Sequence, residues 1–344
     1  MTLEDTTEGE NRPTGGSPPR PTGLLKKERD HMTDTLPTKP YVLVLGAAGV
    51  DSKGRARVPL TLGSSTPGDV RVSVGGTARN VADNLARLGT TAVLLSAIGH
   101  DGSGRRILDN ATTVGINTDY LIFSKKHHTA AYLAVLDETG NLVMSVDDMA
   151  ILACLTPQII HQRRGLVKDA DMVVMDSNLS EPAIASLIKV AKRYKVPVCA
   201  DPASTTLAKK LLPHLPDIYM ITPNMAEAEV LCGRPIRNEN EAVTAARKLV
   251  NAGVKVALIT LAEEGVVYAS ASNSGHVPAR ATEVVDSTGA SDALTATVVF
   301  ALLNDISLDE AVRLAASAAA LTLASSDTVC TDLSLDLLYD HLLI

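Results

Sequence analysis

The chain of 344 residues is 45% hydrophobic and 21% charged, with a formal net charge of −7. Its length fits one large domain with an accessory part, and its acidity argues against a nucleic-acid backbone as the main partner. No apolar run reaches the roughly 18–20 residues that span a bilayer, and the acidic first five residues do not resemble a secretory leader. We therefore predict a cytoplasmic protein that acts on a small molecule, without a membrane or nucleic-acid partner.

Residues 1–38 are rich in Thr, Pro, Gly, Lys and Glu, and they cannot bury enough apolar surface to fold alone. We predict a disordered tail here and a folded domain over residues 39–344. The four cysteines are widely spaced and lack the spacing of metal ligands. They indicate buried thiols in a reducing compartment.

The first predicted strand, residues 41–45, is a continuous apolar run of the kind buried on both faces of a parallel sheet. It ends in a Gly-Ala-Ala-Gly turn that is followed by Asp51. Ligands of such sheets lie beyond the carboxyl ends of the strands, so Asp51 is a candidate substrate-binding carboxylate. A loop aspartate that caps a turn is the alternative.

Two segments, about 52–73 and 120–148, are predicted to form a small β lid that leaves the main sheet. The first mixes basic, β-branched and turn residues without helical periodicity, and the second contains two apolar runs in a hairpin pattern. Thr129 would face a bound ligand from this lid. An exposed edge of the lid sheet favours strand pairing between two copies, and therefore a homodimer.

Between the lid segments, Gly75 and Gly76 precede a predicted helix over about residues 78–88. Glycines at this position would let a ligand approach the backbone. Arg79 and Asn80, in the first turn, are then candidates for binding the substrate. The alternative is a plain turn into a helix, with Arg79 on a solvated face.

The remaining chain alternates between predicted strands and helices. Strands are expected over residues 92–97, 171–175, 196–200, 218–222, 256–260 and 265–270, and helices over residues 180–195, 224–232, 239–252 and 308–324. This alternation predicts an α/β fold with a mostly parallel, doubly wound sheet and helices on both faces.

Asn224 and Glu227 follow the strand at 218–222, so both side chains are expected near the site at the strand ends. An Asn at the N-cap and a Glu three residues later also form a capping pair. Capping is therefore the alternative for these two residues.

Residues 285–294 join a polar turn directly to a long apolar helix. The small residues Gly289, Ala290 and Ser291 allow close backbone approach, and the N–H groups at a helix start attract an anion. Asp292, in the first helical turn, could accept a proton from an attacking hydroxyl group. The pattern favours phosphoryl transfer, with a helix capped by the preceding Ser or Thr as the alternative.

Three of these segments resemble motifs of one known family. They are Gly75-Gly76 with Asn80, Asn224-x-x-Glu227, and the segment from Asp286 to Asp292. Together they resemble the ribokinase-like, or PfkB-type, carbohydrate and nucleoside kinases over residues 40–344. The resemblance implies a ribokinase-like fold and ATP-dependent phosphorylation of an alcohol, with Mg²⁺ and a monovalent cation such as K⁺.

The resemblance also implies roles for single residues. Asp292 would be the catalytic base, and the backbone amides of Gly289, Ala290 and Ser291 would form an anion hole with it. The residues expected around the nucleotide are Asn224, Thr260, Gly265 and Thr288, and Glu227 is expected near Mg²⁺, directly or through water.

Segments 76–82, 129–137 and 148–149 are most similar to pseudouridine kinases within the family. This similarity implies phosphorylation of the 5′-hydroxyl of a nucleoside, with Asp51, Arg79 and lid residues around the acceptor. A sugar kinase of the same family, acting on ribose, fructose or a related sugar, is the alternative.

Two further classes of protein stay open. Ser291 and Ala262 stand where the family usually has Gly, which keeps open a nucleoside-binding relative without catalytic activity. Ser still supplies a backbone N–H, so we expect the anion hole to survive. A hydrolase is also considered, because residues 289–293 differ from a G-x-S-x-G nucleophile elbow only in the last residue, although Ser291 would then need His341 as its base.

Overall fold

The computed structural model describes residues 36–37 and 40–342 of the chain. The predicted tail, residues 1–38, lies outside the described residues except for Leu36 and Pro37. Within the described part, the strands form an eight-stranded sheet, a four-stranded sheet and a two-stranded sheet.

The strands of the described part are β1 (Val42–Leu45), β2 (Gly49–Ala56), β3 (Gly68–Gly75), β4 (Ala92–Leu95), β5 (Ala97–Gly99), β6 (Ile122–Ser124), β7 (Ala130–Leu136), β8 (Leu142–Asp148), β9 (Met172–Asp176), β10 (Val198–Asp201), β11 (Met220–Ile221), β12 (Val256–Thr260), β13 (Val266–Ser270) and β14 (Ser274–Val277).

The α-helices of the same part are α1 (Thr77–Arg87), α2 (Gly102–Val114), α3 (Pro157–Gln162), α4 (Arg164–Asp169), α5 (Glu181–Tyr194), α6 (Thr205–Ala208), α7 (Met225–Cys232), α8 (Glu239–Asn251), α9 (Ala290–Leu303), α10 (Leu308–Leu323) and α11 (Leu335–Asp340). Short 3₁₀ helices cover Ala150–Cys154, Lys209–Asp217 and Ala262–Glu264.

The eight-stranded sheet has the order β14-β13-β12-β11-β10-β9-β1-β4. The strands from β4 to β12 in this order pair in parallel, and β13 and β14 form an antiparallel edge. Alternate residues of β1 face opposite sides of the sheet: Leu43 and Leu45 pack in one buried cluster, and Val42 and Val44 pack in another. The predicted parallel sheet with helices on both faces is confirmed.

The four-stranded sheet has the order β3-β2-β7-β8. Its register pairs Asp51 with Ser73, and Ser52 with Val72 and Leu133. Because neighbouring residues of a strand point to opposite faces, one face carries Asp51 and Lys53, and we call it the polar lid face. The opposite, apolar lid face carries Val72 and Leu133, which are 45% and 50% exposed.

Two predicted segments differ from the observed elements. The strand expected over 92–97 ends at Leu95, because Ser96 donates a hydrogen bond to the carbonyl oxygen of Gly46 and β5 then pairs with β6 in the separate two-stranded sheet. For the same reason residues 120–129 do not belong to the four-stranded sheet. The four-stranded sheet extends beyond the predicted lid segment 52–73 at both ends, since β2 begins at Gly49 and β3 ends at Gly75.

Candidate active site

Helix α9 begins at the turn that the sequence indicated as an anion site. Gly289 is the N-cap, with a φ of 86°, and no side chain among the described residues caps this helix. The alternative in which Ser287 or Thr288 caps α9 is therefore wrong. The Thr288 hydroxyl accepts a hydrogen bond from Lys53 Nζ, and the Thr288 N–H donates to Asp286 Oδ1. Without a side-chain cap, the first N–H groups of α9 can bind an anion, and the helix dipole reinforces that binding.

Asp292 lies in the first turn of α9 and is only 7% exposed. Asn80 Nδ2 donates a hydrogen bond to Asp292 Oδ2 at 2.7 Å. Burial raises the pKa of Asp292 to about 7, although the hydrogen bond from Asn80 acts in the opposite direction. A carboxyl group with a pKa near 7 is suited to accept a proton at neutral pH. Asn80, predicted to bind the substrate, orients this carboxylate in the structure.

The glycine pair makes room for Asp51 and for the start of α1. A Cβ atom at Gly75 would lie 2.3 Å from Asp51 Oδ2, and one at Gly76, where φ is 94°, would lie 2.6 Å from the carbonyl oxygen of Ala47. Both positions need glycine because atoms of the protein itself approach closely, and the approach of a ligand to this backbone stays a prediction. The Asp51 carboxylate is buried. After burial and the charge of Asp176, the charge of Asp51 also raises the pKa of Asp292, so the two carboxylates are close enough for their charges to interact.

Two residues predicted to bind the substrate are held by other parts of the protein. Arg79 is 2% exposed, so the solvated-face alternative is wrong. Its guanidinium group donates to Asp83 Oδ2 at 2.7 Å and to Thr328 Oγ1 at 2.9 Å. The Thr129 hydroxyl donates to Asp101 Oδ1 at 2.6 Å and accepts from a backbone N–H at 2.9 Å. Thr129 lines a cleft along the apolar lid face and Arg79 lines another, and neither lining includes Asp51 or Asp292.

A second group of carboxylates lies near Asp292. Asp201, the last residue of β10, is 4% exposed, and its Oδ2 atom has no hydrogen-bond partner within the described residues. Burial raises the pKa of Asp201 well above its usual range, and the charges of Asp292 and Glu227 raise it further. A divalent cation would relieve this repulsion, so the carboxylates fit Mg²⁺. No three His, Cys, Asp or Glu side chains of the described chain are grouped to hold a metal by themselves, so phosphate oxygens and water would complete the coordination.

Asn224 and Glu227 form a reciprocal capping pair at the start of α7. Asn224 Oδ1 accepts from the Glu227 N–H, and Glu227 Oε2 accepts from the Asn224 N–H, both at 2.9 Å. The capping alternative is confirmed. Glu227 is also 6% exposed, and burial raises its pKa. Thr260 lies beside Asn224 in a parallel β-bridge, so the structure brings these three predicted residues together.

The residues that depart from the family pattern occupy two different environments. Ala262 begins a 3₁₀ helix with a left-handed φ of 53°, a conformation that strains an alanine and suits a glycine. Gly265 follows that helix and directly precedes β13. Ser291 is exposed in the first turn of α9, where its backbone N–H is retained.

Sequence reasoning missed two residues near the site, Lys53 and Asp201. Asp201 had a usable signal, because it ends a buried apolar strand of the parallel sheet just as Asp176 does. No sequence signal indicated Lys53, because its hydrogen-bond partner Asp286 lies 233 residues further along the chain.

The hydrolase alternative fails on the position of its base. His341 Nδ1 lies 3.0 Å from the carbonyl oxygen of Leu337. A serine nucleophile needs a base within hydrogen-bond reach, and no hydrogen bond found among the described residues joins Ser291 to one.

A cleft of about 560 Å³ lies along the apolar lid face, between Val72, Ala131 and the first turn of α2. Its lining includes neither Asp51 nor Asp292. Asp51 lies on the opposite, polar lid face.

Known proteins resemble the chain in sequence over the same region. Residues 39–332 match the model of the pfkB family carbohydrate kinases. The chain is 32% identical to the pseudouridine kinase of Escherichia coli (strain K12) over 298 residues, which cover 86% of this chain and 95% of that protein. It is 30% identical to the guanosine-inosine kinase of Exiguobacterium acetylicum over 288 residues, which cover 83% of this chain and 95% of that protein.

Solved structures agree with the fold. The structure of Arabidopsis thaliana ribokinase complexed with ribose and ATP matches with a TM-score of 0.75, covering 88% of this chain and 99% of that one at 22% identity. This likeness shows the ribokinase fold. Among the described residues, no helix has the length and apolar character to cross a membrane. The family match over most of the chain means that this protein belongs to the pfkB carbohydrate kinases, which are ATP-dependent phosphotransferases.

Proposed function

We propose that the protein transfers the γ-phosphoryl group of ATP to the 5′-hydroxyl group of a nucleoside, with pseudouridine as the acceptor. The observation that carries this proposal is the buried Asp292 carboxylate beside the uncapped start of α9, with the buried Asp51 near it. The proposed site therefore combines a base, an anion site and a carboxylate that can accept hydrogen bonds from an alcohol.

The proposed reaction follows from these groups. The acceptor hydroxyl gives its proton to Asp292 as its oxygen attacks phosphorus, and the bond from phosphorus to the ADP oxygen breaks. The N–H groups at Gly289, Ala290 and Ser291 stabilise the charge on the transferred group. Asp51 accepts hydrogen bonds from the other hydroxyl groups of the acceptor. Mg²⁺, when bound, neutralises charge on the phosphates.

The choice of pseudouridine is supported by the E. coli relative, whose identity extends over 86% of this chain. The guanosine-inosine kinase of similar coverage makes a purine nucleoside the nearest competing acceptor. Ribose, fructose or a related sugar would be the acceptor if the lid provides no partner for a base. A nucleoside-binding relative without activity remains the second candidate, because Ala262 is strained where the family usually has glycine.

A panel of acceptors tests the proposal. With ATP and Mg²⁺, pseudouridine is expected to be phosphorylated at least about 10²-fold faster than ribose or fructose, because polar groups built to bind a base are left unpaired by a free sugar. Product formation is measured by mass spectrometry, with inosine, guanosine and uridine in the same panel. Equal rates with ribose would assign a sugar kinase, and binding of nucleosides without any product would assign the inactive relative.

Glu227→Gln tests the magnesium assignment. Gln can complete the capping pair with Asn224, so we expect a melting temperature close to that of the wild type. The Mg²⁺ concentration for half-maximal activity is expected to rise about 10-fold, a usual cost of losing a group that supports a metal.

Glu241→Gln is the matched control, because Glu241 occupies the same position after the N-cap Asn238 in α8. It should change neither quantity. A lower melting temperature in Glu227→Gln with an unchanged response to Mg²⁺ would leave Glu227 with a capping role alone.

Three further features belong to the proposal. The exposed apolar lid face, with Val70, Val72, Leu133 and Val146, supports a homodimer formed through the lid, which sedimentation velocity can measure.

A requirement for a monovalent cation is tested by comparing rates in potassium chloride and tetramethylammonium chloride. A cytoplasmic location stays a prediction.

A further inference from the structure

Lys53 reaches from the lid to the turn that begins α9. It lies on β2, two residues beyond Asp51 and on the same polar lid face. Its Nζ atom donates to Asp286 Oδ1 at 2.7 Å, to Asp286 Oδ2 at 2.6 Å, and to the Thr288 hydroxyl. An ammonium group has three N–H donors, and the turn supplies an acceptor atom for each of them. The side chains of Lys53 and Asp286 are 13% and 22% exposed, which shields the pair from solvent.

The turn itself has two other anchors. The N–H groups of Val285 and Asp286 donate to the carbonyl oxygen of Leu323 in α10, at 2.8 and 3.3 Å. Asp286 Oδ1 also accepts from the Thr288 N–H at 2.9 Å. Burial acts to raise the pKa of Asp286, but the hydrogen bonds from Lys53 and Thr288 outweigh it and hold that pKa below its usual range. The Asp286 carboxylate is therefore ionised at neutral pH, as its ion pair with Lys53 of the lid requires.

We propose that Lys53 is a positioning residue that clamps the lid to the 286–288 turn, so that closing the lid over the acceptor and shaping the anion site are one event. This inference rests on the proposed function. Side chains two residues apart on a strand are separated by about 7 Å, so one short piece of β2 holds both the acceptor ligand Asp51 and the contact to the phosphate side. A lid that closes in this way keeps water from the transferred group.

The clamp can be measured without substrates by amide hydrogen exchange. In Lys53→Met, exchange in β2, in β3 and in the 285–289 turn is expected to rise about 10-fold relative to the wild type. Asp286→Asn should have the same effect, and the double variant should show no more than the larger single effect, because both remove one interaction. Arg55→Met is the matched control, since Arg55 lies on the same face of β2 and its hydrogen bond within the described residues goes to the exposed carbonyl oxygen of Glu138.

Unchanged exchange in Lys53→Met would overturn the clamp, and so would effects of Lys53→Met and Asp286→Asn that add. This measurement needs no turnover. If the wild type phosphorylates no acceptor, the proposed function fails while the exchange result still decides whether the clamp exists.

Kinetics supply a second readout that a merely structural role would not change. In Lys53→Met, the ratio of ATP hydrolysed to acceptor phosphorylated is expected to rise about 10-fold, because water enters beneath a lid that is no longer held. Lys53→Arg keeps the charge and should restore most of the coupling. A Lys53→Met variant with a lower kcat and an unchanged ratio would overturn the proposal.

Discussion

Asp292→Asn is expected to lower phosphoryl transfer by roughly 10²–10⁴-fold, the usual contribution of a general base. Asn is close in size to Asp and can still accept the hydrogen bond from Asn80, so the packing of α9 is retained. Initial rates of phosphoryl transfer measure the effect. For the wild type, kcat/KM is expected to rise with pH and to level off above about 7, since burial raises the pKa of Asp292 to that value and only the ionised form accepts a proton.

The same substitution is expected to raise the melting temperature at pH 8. The pKa of Asp292 is about 7 in the folded protein, against about 4 for an Asp in an unfolded chain, so the folded state favours the protonated form and loses stability as the pH rises from about 4 to about 7. Asn carries no such cost, and its advantage should therefore be larger at pH 8 than at pH 5. Thermal melting at both pH values checks this. Near-wild-type turnover would remove Asp292 as the base, and a lower melting temperature at pH 8 would contradict the effect of burial.

The parts of this site that follow from sequence are those set by local pattern. A small-residue turn that runs into an apolar helix is enough to place Gly289 and Asp292 together, because both lie within one turn of α9. The capping pair of Asn224 and Glu227 is equally local. These features depend on contacts between residues three or four positions apart, so they can be predicted from a single sequence.

Other parts depend on contacts that sequence spacing does not contain. Arg79 has one partner four residues away, Asp83, but another of its partners, Thr328, is 249 residues away. Sequence alone could not show that Arg79 is buried instead of solvated. The clamp from Lys53 to Asp286 is hidden for the same reason, since the lid and the turn meet only in the folded chain.

Gly289→Ala is expected to lower phosphoryl transfer by at least about 10²-fold and to destabilise the fold. A Cβ atom at this position would lie 1.9 Å from the carbonyl oxygen of Thr328, and the φ of 86° already disfavours an L side chain. Either the turn or Thr328 must therefore move. The Thr328 hydroxyl lies 3.2 Å from Asn80 Oδ1, so its movement would also disturb the residue that orients Asp292. A displacement of about 1 Å in such a site can cost about 10²-fold in rate.

Gly115→Ala separates the clash from the backbone strain. Gly115 ends α2 with a φ of 91°, and a Cβ atom there would meet no atom within 4 Å. This control is expected to lose about 1 kcal/mol of stability and to keep its activity, whereas Gly289→Ala loses both. Chemical denaturation and initial rates, measured on the two variants side by side, distinguish the effects. If Gly289→Ala lost no more activity than Gly115→Ala, the N–H groups at the start of α9 would not be the groups that hold the transferred phosphoryl.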